Sequence, residues 1–173
     1  MNWDFISAMD IVLAEIEWEG KPRNVILHAP KNGFFYVVDR EDGRLLGAEK
    51  FGKVTWAERV DMKTGRPIET AEARDEDGVS VIFPGFLGAH SWHPMSYNPQ
   101  TGLTYIPYQE MAAEYDQRGI DTERWRAKDL QLNSGFQPYR RDVAAEDATG
   151  ALLAWDVRRQ KPAWKVDLPG FWN

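Results

Sequence analysis

The sequence predicts an all-β fold of repeated four-stranded units, part of a β-propeller, and two observations carry that prediction. Short runs of β-branched and aromatic residues recur about every ten residues, each bounded by turn residues. One turn signature, Asx-x-x-x-Gly, recurs along the chain. Cysteine is absent, which excludes disulfides and thiolate metal sites within this stretch.

The first expected strand is Ile11 to Ile16, closed by the turn-rich Glu17 to Pro22. The second is Asn24 to Ala29, and Pro30-Lys31-Asn32-Gly33 separates it from the third, Phe34 to Asp39. Asn-Gly is the strongest short-range hairpin signal, because both residues tolerate positive φ. The repeated turn then appears as Asp39-Arg40-Glu41-Asp42-Gly43, Asp61-Met62-Lys63-Thr64-Gly65 and Asn98-Pro99-Gln100-Thr101-Gly102. A fourth copy begins at Ala154-Trp155-Asp156 and carries Gln160 in place of the glycine, with Trp164 ten residues after Ala154. The Asx side chain caps the turn and glycine takes the positive φ that closes it. Recurrence of that chemistry implies units that bury their faces only against neighbours. Trp56, Trp155 and Trp164 read as packing residues between such units.

A polar stretch breaks the pattern. Residues 108–141 are expected to form a long excursion with short helices at Tyr108 to Arg118 and Thr122 to Asp129, since connections of this length within a domain are ordinarily functional or ordered by a partner element. The chain as a whole, residues 1–173, reads as an internal segment of one propeller domain with blades incomplete at both ends. Whether Met1 is a true start stays open. The net charge of −6 argues against nucleic acid and anionic membrane surfaces as partners, and no apolar run approaches the ~20 residues of a membrane span. The start has no basic or apolar signal-peptide region.

Four stretches together resemble the quinoprotein alcohol dehydrogenases, the methanol and ethanol dehydrogenase family that depends on pyrroloquinoline quinone. These are Gly20 to Arg40, containing Ala29-Pro30-Lys31-Asn32-Gly33-Phe34-Phe35; Glu49 to Ala57; Gly88-Ala89-His90-Ser91-Trp92-His93-Pro94-Met95; and Gly150 to Gly170. The Ala154 to Trp164 element resembles that family's tryptophan-docking repeat. The resemblance implies an eight-bladed propeller, oxidation of alcohols to carbonyl compounds, and electrons passed to a c-type cytochrome. It also implies a periplasmic location.

The same resemblance implies roles for individual residues. Asp4 matches the catalytic aspartate, which takes the hydroxyl proton and helps hold a metal ion. By itself it reads as a capping residue near a chain start. The spacing of 27 residues to Lys31 favours the catalytic role. Lys31 matches the basic residue that hydrogen-bonds the quinone oxygens, against the alternative of a solvated turn lysine. Ser91 and Trp92 stand where the family has Asn-Trp against the cofactor edge. Serine is shorter than asparagine and offers one hydroxyl, so a backbone contact at Trp92 is the better-founded of the two. His90 and His93 read as satisfied structural histidines, because His-x-x-His without a further ligand is a weak metal signal. Lanthanide-using relatives carry a second aspartate two residues after the catalytic one; Ile6 occupies that position here and cannot ligate, so Ca2+ is the expected metal. Isolated, the segment is expected to be inactive, because most of the cofactor cradle and metal site lies on other blades. Two further readings stand beside this one: a non-catalytic propeller acting as a binding or assembly scaffold, and a decayed gene product that exposes unpaired blade edges.

Overall fold

The computed structural model describes residues 3–74, 78–116, 123, 124, 126, 137, 138 and 148–170. Those residues form an almost entirely β structure. β1 (Val12–Trp18), β2 (Lys21–His28), β3 (Phe34–Asp39) and β4 (Leu45–Lys50) make one antiparallel sheet in the order β1-β2-β3-β4. β5 (Ala57–Val60) and β6 (Pro67–Glu69) form a hairpin, followed by a single 3-10 turn at Ala71–Ala73 and β7 (Val79–Ile82). β8 (Ser96–Asn98) and β9 (Leu103–Glu110) begin a second sheet. β10 (Ala113–Asp116) and β11 (Gln137–Pro138) leave it, and β12 (Thr149–Asp156) and β13 (Lys161–Leu168) complete it in the order β13-β12-β9-β8. Two four-stranded antiparallel units are what the repeat predicted. Among the described residues, no helix is long and apolar enough to cross a membrane.

The turn repeat holds at atomic level. In its first three copies the glycine N–H donates to the Asx carbonyl, at 3.0 Å (Gly43 to Asp39), 2.8 Å (Gly65 to Asp61) and 2.9 Å (Gly102 to Asn98). The Asx side chain accepts from the backbone two residues on in all four copies, at 2.8 to 3.0 Å. The closing residue is left-handed throughout: Gly43 at φ 73°, Gly65 at 68°, Gly102 at 70°, and Gln160 at 52°. Gln160 therefore pays the Cβ strain that glycine avoids, on the order of 1–2 kcal/mol.

A compensation is visible across the interface. Gln160 Nε2 donates to the Val157 carbonyl at 2.7 Å. Its amide end also lies over Gly47, where an added Cβ would sit 3.0 Å from Trp18 and 3.1 Å from Gln160. Eight residues after the turn aspartate, Gly47 occupies in the first unit the position that Trp164 holds in the second. A large side chain is thus absent from one blade, and Trp18 and Gln160 occupy the space. Gly47→Ala is expected to destabilise the fold by about 1–2 kcal/mol through overpacking. The cost should shrink in a Gln160→Gly background, and a double-mutant cycle by denaturant unfolding measures that coupling.

The core has two parts. Ile16, Val25, Leu27, Phe35 and Val37 of the first sheet pack against Ile106, Tyr108, Ala151, Leu153 and Trp155 of the second. On the other side, Phe34, Tyr36, Leu45 and Ala48 pack with Val54, Trp56, Ala57, Val60, Ala73, Ile82, Ala113 and Tyr115. β3 is covered on both faces, which explains its unbroken apolar run. The far side of the second sheet leaves Leu152, Trp164 and Val166 exposed.

The expected helix at Tyr108 to Arg118 is corrected. Tyr108 to Glu110 complete β9, and β10 pairs antiparallel with β7 through Ala113–Ile82 and Asp116–Val79. Ile106 and Tyr108 alternate into the core, and a helix of about ten residues has too little intrinsic stability to compete with that pairing. The excursion therefore starts beyond Glu110. Of the second expected helix, Glu123 and Arg124 lie in a turn, and the remainder falls almost wholly outside the described residues.

Candidate active site

The loop between β2 and β3 carries Lys31, and the segment before β1 carries Asp4. Lys31 Nζ donates to Asp4 Oδ2 at 3.2 Å; the lysine side chain is 14% exposed and the aspartate 45%. With one partner nearly half-exposed, the pair adds at most about 1 kcal/mol to stability. It does hold a carboxylate and an ammonium together at one end of the sheets.

Aromatic packing fixes both residues. Trp3 and Phe5, which flank Asp4, both pack on Trp56, with ring centroids 4.8 and 5.3 Å away. Trp3 Nε1 donates to the Ala73 carbonyl at 2.9 Å, and Trp56 Nε1 donates to the carbonyl of Asn32, the residue after Lys31, at 3.0 Å. One indole thus ties the aspartate segment to the lysine loop. Trp56 was expected only to pack between units; this second role depends on a neighbour that the sequence does not place beside it.

The segment Gly85 to Met95 closes over the same loop. Ala89 N–H donates to the Lys31 carbonyl at 2.9 Å. Gly88, at φ 84°, lies so close to Lys31 that an added Cβ would sit 2.5 Å from its Cγ and 2.6 Å from its Cα. Only glycine meets both demands. Ser91 is buried, and its Oγ has no hydrogen-bond partner among the described residues. Trp92, by contrast, is 62% exposed. The loop that bonds the Lys31 carbonyl thus carries one unsatisfied buried hydroxyl and one indole presented to solvent. His90 is fully buried with both ring nitrogens hydrogen-bonded to backbone carbonyls.

Two other groups bear on the charge at the site. Burial, and then the negative charge of Asp4, push the Tyr115 phenol above its ordinary range, so it stays protonated. His28 donates from Nδ1 to the Asp10 carbonyl at 3.1 Å, because a carbonyl can only accept; its Nε2 then accepts from the Ser7 hydroxyl at 2.8 Å. Burial, with a smaller contribution from neighbouring His90, lowers His28 below its ordinary value near 6.5. The folded chain then binds fewer protons here than the unfolded one. Stability is expected to be full above pH ~6.5 and to fall as pH drops through the window below it. His28→Gln should flatten thermal-melt midpoints measured between about pH 5 and 7, above the range where the carboxylates titrate.

Among the described residues, no three His, Cys, Asp or Glu side chains cluster closely enough to hold a metal ion. Asp4 alone does not make a metal site.

No family model matches the chain. Individual proteins do. The chain is 52% identical over 172 residues to the quinohemoprotein alcohol dehydrogenase ADH IIB of Pseudomonas putida, covering 99% of this chain and 24% of that protein. It superposes on the crystal structure of the quinohemoprotein alcohol dehydrogenase from Comamonas testosteroni with a TM-score of 0.87 and 42% identity, covering 99% of this chain and 26% of that one. The chain belongs to the quinoprotein alcohol dehydrogenases. A europium-containing methanol dehydrogenase shares the quinoprotein fold at a TM-score of 0.73 and 25% identity, covering 94% of this chain and 28% of its own. The chain spans about a quarter of the length of the curated relatives it matches. Its two four-stranded sheets are therefore part of a quinoprotein β-propeller.

Proposed function

We propose that the polypeptide carrying this segment oxidises alcohols to aldehydes or ketones, with pyrroloquinoline quinone as the hydride acceptor. The observation that carries this reading is the Asp4–Lys31 pair, with Lys31 largely buried and 3.2 Å from the carboxylate. The bound quinone would supply an electrophilic carbonyl carbon to receive hydride. Asp4 takes the hydroxyl proton as the C–H bond breaks. Lys31 places a fixed positive charge where negative charge builds on the acceptor's oxygens. Trp92 offers a planar surface and a backbone contact, and the Ser91 hydroxyl a hydrogen bond. Tyr115, held neutral, does not compete with Asp4 for the base role.

Asp4 also supplies one carboxylate to a divalent ion, with the other ligands coming from elsewhere in the polypeptide. Ca2+ fits better than a lanthanide, because Ile6 provides no added negative charge for a trivalent ion. Residues 1–173 form an internal to C-terminal-half part of one propeller; the exposed Leu152, Trp164 and Val166 suit a face covered by another blade. Electrons pass on to a c-type cytochrome, and the enzyme works in the periplasm.

The test is dye-linked alcohol oxidation by the full-length polypeptide reconstituted with the quinone and Ca2+. Activity is expected with Ca2+; activity with a lanthanide alone overturns the metal assignment. A scaffold would neither bind the quinone nor turn over alcohol. The 173-residue chain alone is expected to be inactive, and stoichiometric quinone binding with turnover by it would contradict that.

A further inference from the structure

Resting on the proposed function, the structure assigns a positioning role to His90: its buried ring clips the Lys31 loop to the Ser91–Trp92 loop and so sets the seat for the flat cofactor. Nδ1 lies 2.6 Å from the Ala29 carbonyl, two residues before Lys31. Nε2 lies 2.6 Å from the His93 carbonyl, on the far side of Ser91 and Trp92. The ring is fully buried.

The two bonds do different things. The one to His93 closes residues 90–93 into a tight loop, which turns Ser91 inward and Trp92 outward. The one to Ala29 docks that loop on the strand end from which Lys31 springs. Neighbouring bonds run in parallel: Ala89 N–H to the Lys31 carbonyl, and Gln109 Nε2 to the carbonyls of Leu87 and Gly88 at 2.9 and 3.0 Å. Those bonds hold the chain on either side of Gly88. The His90 side chain thus joins the loop bearing Trp92 to the loop bearing Lys31.

The crystal structure of the unloaded full-length His90→Phe variant reads the first half of the proposal: the Ser91–Trp92 loop is expected to shift away from Ala29, and a loop left in its wild-type place would overturn the clip. The second half is read from the dissociation constant for pyrroloquinoline quinone in His90→Phe, which keeps the ring volume and removes both ring nitrogens. The expected result is at least a tenfold weaker affinity with kcat at saturating quinone changed less than threefold. His90→Gln, which keeps N–H donors on one nitrogen, should fall between Phe and wild type, and serves if Phe does not fold. Unchanged affinity in either folded variant overturns the positioning role alone. No quinone binding by the wild-type protein overturns the proposed function and the positioning role together, while the structure of the unloaded variant still tells whether the clip exists.

Discussion

Asp4→Asn in the full-length polypeptide is expected to lower kcat by about 10²- to 10⁴-fold, the usual worth of a positioned general base. The substitution is isosteric, and an amide oxygen can still accept from Lys31 Nζ. The flanking Trp3 and Phe5 remain packed on Trp56, so the local fold should persist. What is lost is a group able to take a proton. Single-turnover kinetics at saturating alcohol isolate the effect, and near-ultraviolet circular dichroism should show the aromatic cluster unchanged. A variant within threefold of wild type would show that Asp4 is an ordinary turn carboxylate.

Lys31→Met should be nearly as damaging, for a different reason. Methionine keeps an unbranched stem under Gly88 but removes the charge. Loss of one preorganised electrostatic donor lowers kcat by about 10²- to 10³-fold in comparable sites. Quinone affinity should weaken as well, because in the proposed site the ammonium would contact the acceptor in both states. Lys31→Arg tests whether charge alone suffices. The guanidinium is broader than the ammonium, and Gly88 leaves little room, so partial rescue is expected. Stopped-flow measurement of quinone reduction separates the binding loss from the chemical one.

Local chemistry was the legible part of this sequence. The Asx-x-x-x-Gly turns are governed by one side chain and one φ angle, both carried within five residues, and all four formed. Even Gln160, which breaks the pattern, adopts the left-handed φ because the rest of the turn requires it. The compensation at Gly47 was not legible, since it lies in another blade. Asp4 and Lys31 were expected to act on one ligand, from two motifs matched 27 residues apart; the structure brings the two side chains themselves to 3.2 Å.

The failures were tertiary. Tyr108 to Asp116 carries helix-compatible residues, yet β7 supplies a pairing partner that sequence proximity hides. The Trp56 indole reaches both Trp3 and the Asn32 carbonyl across 53 and 24 residues. His90 was read only as a satisfied histidine; its acceptors are backbone carbonyls, one of them 61 residues away, and backbone groups leave no mark in a sequence. Side-chain identity announces charge and turn chemistry, whereas the loops that aim those charges are fixed by contacts along the whole segment.

The crystal structure of the full-length polypeptide with pyrroloquinoline quinone bound decides whether the Asp4–Lys31 pair is the reacting centre. The expected result has Lys31 Nζ at hydrogen-bonding distance from a quinone oxygen, with the Asp4 carboxylate facing the same end of the ring. A quinone seated elsewhere, touching neither residue, would contradict it.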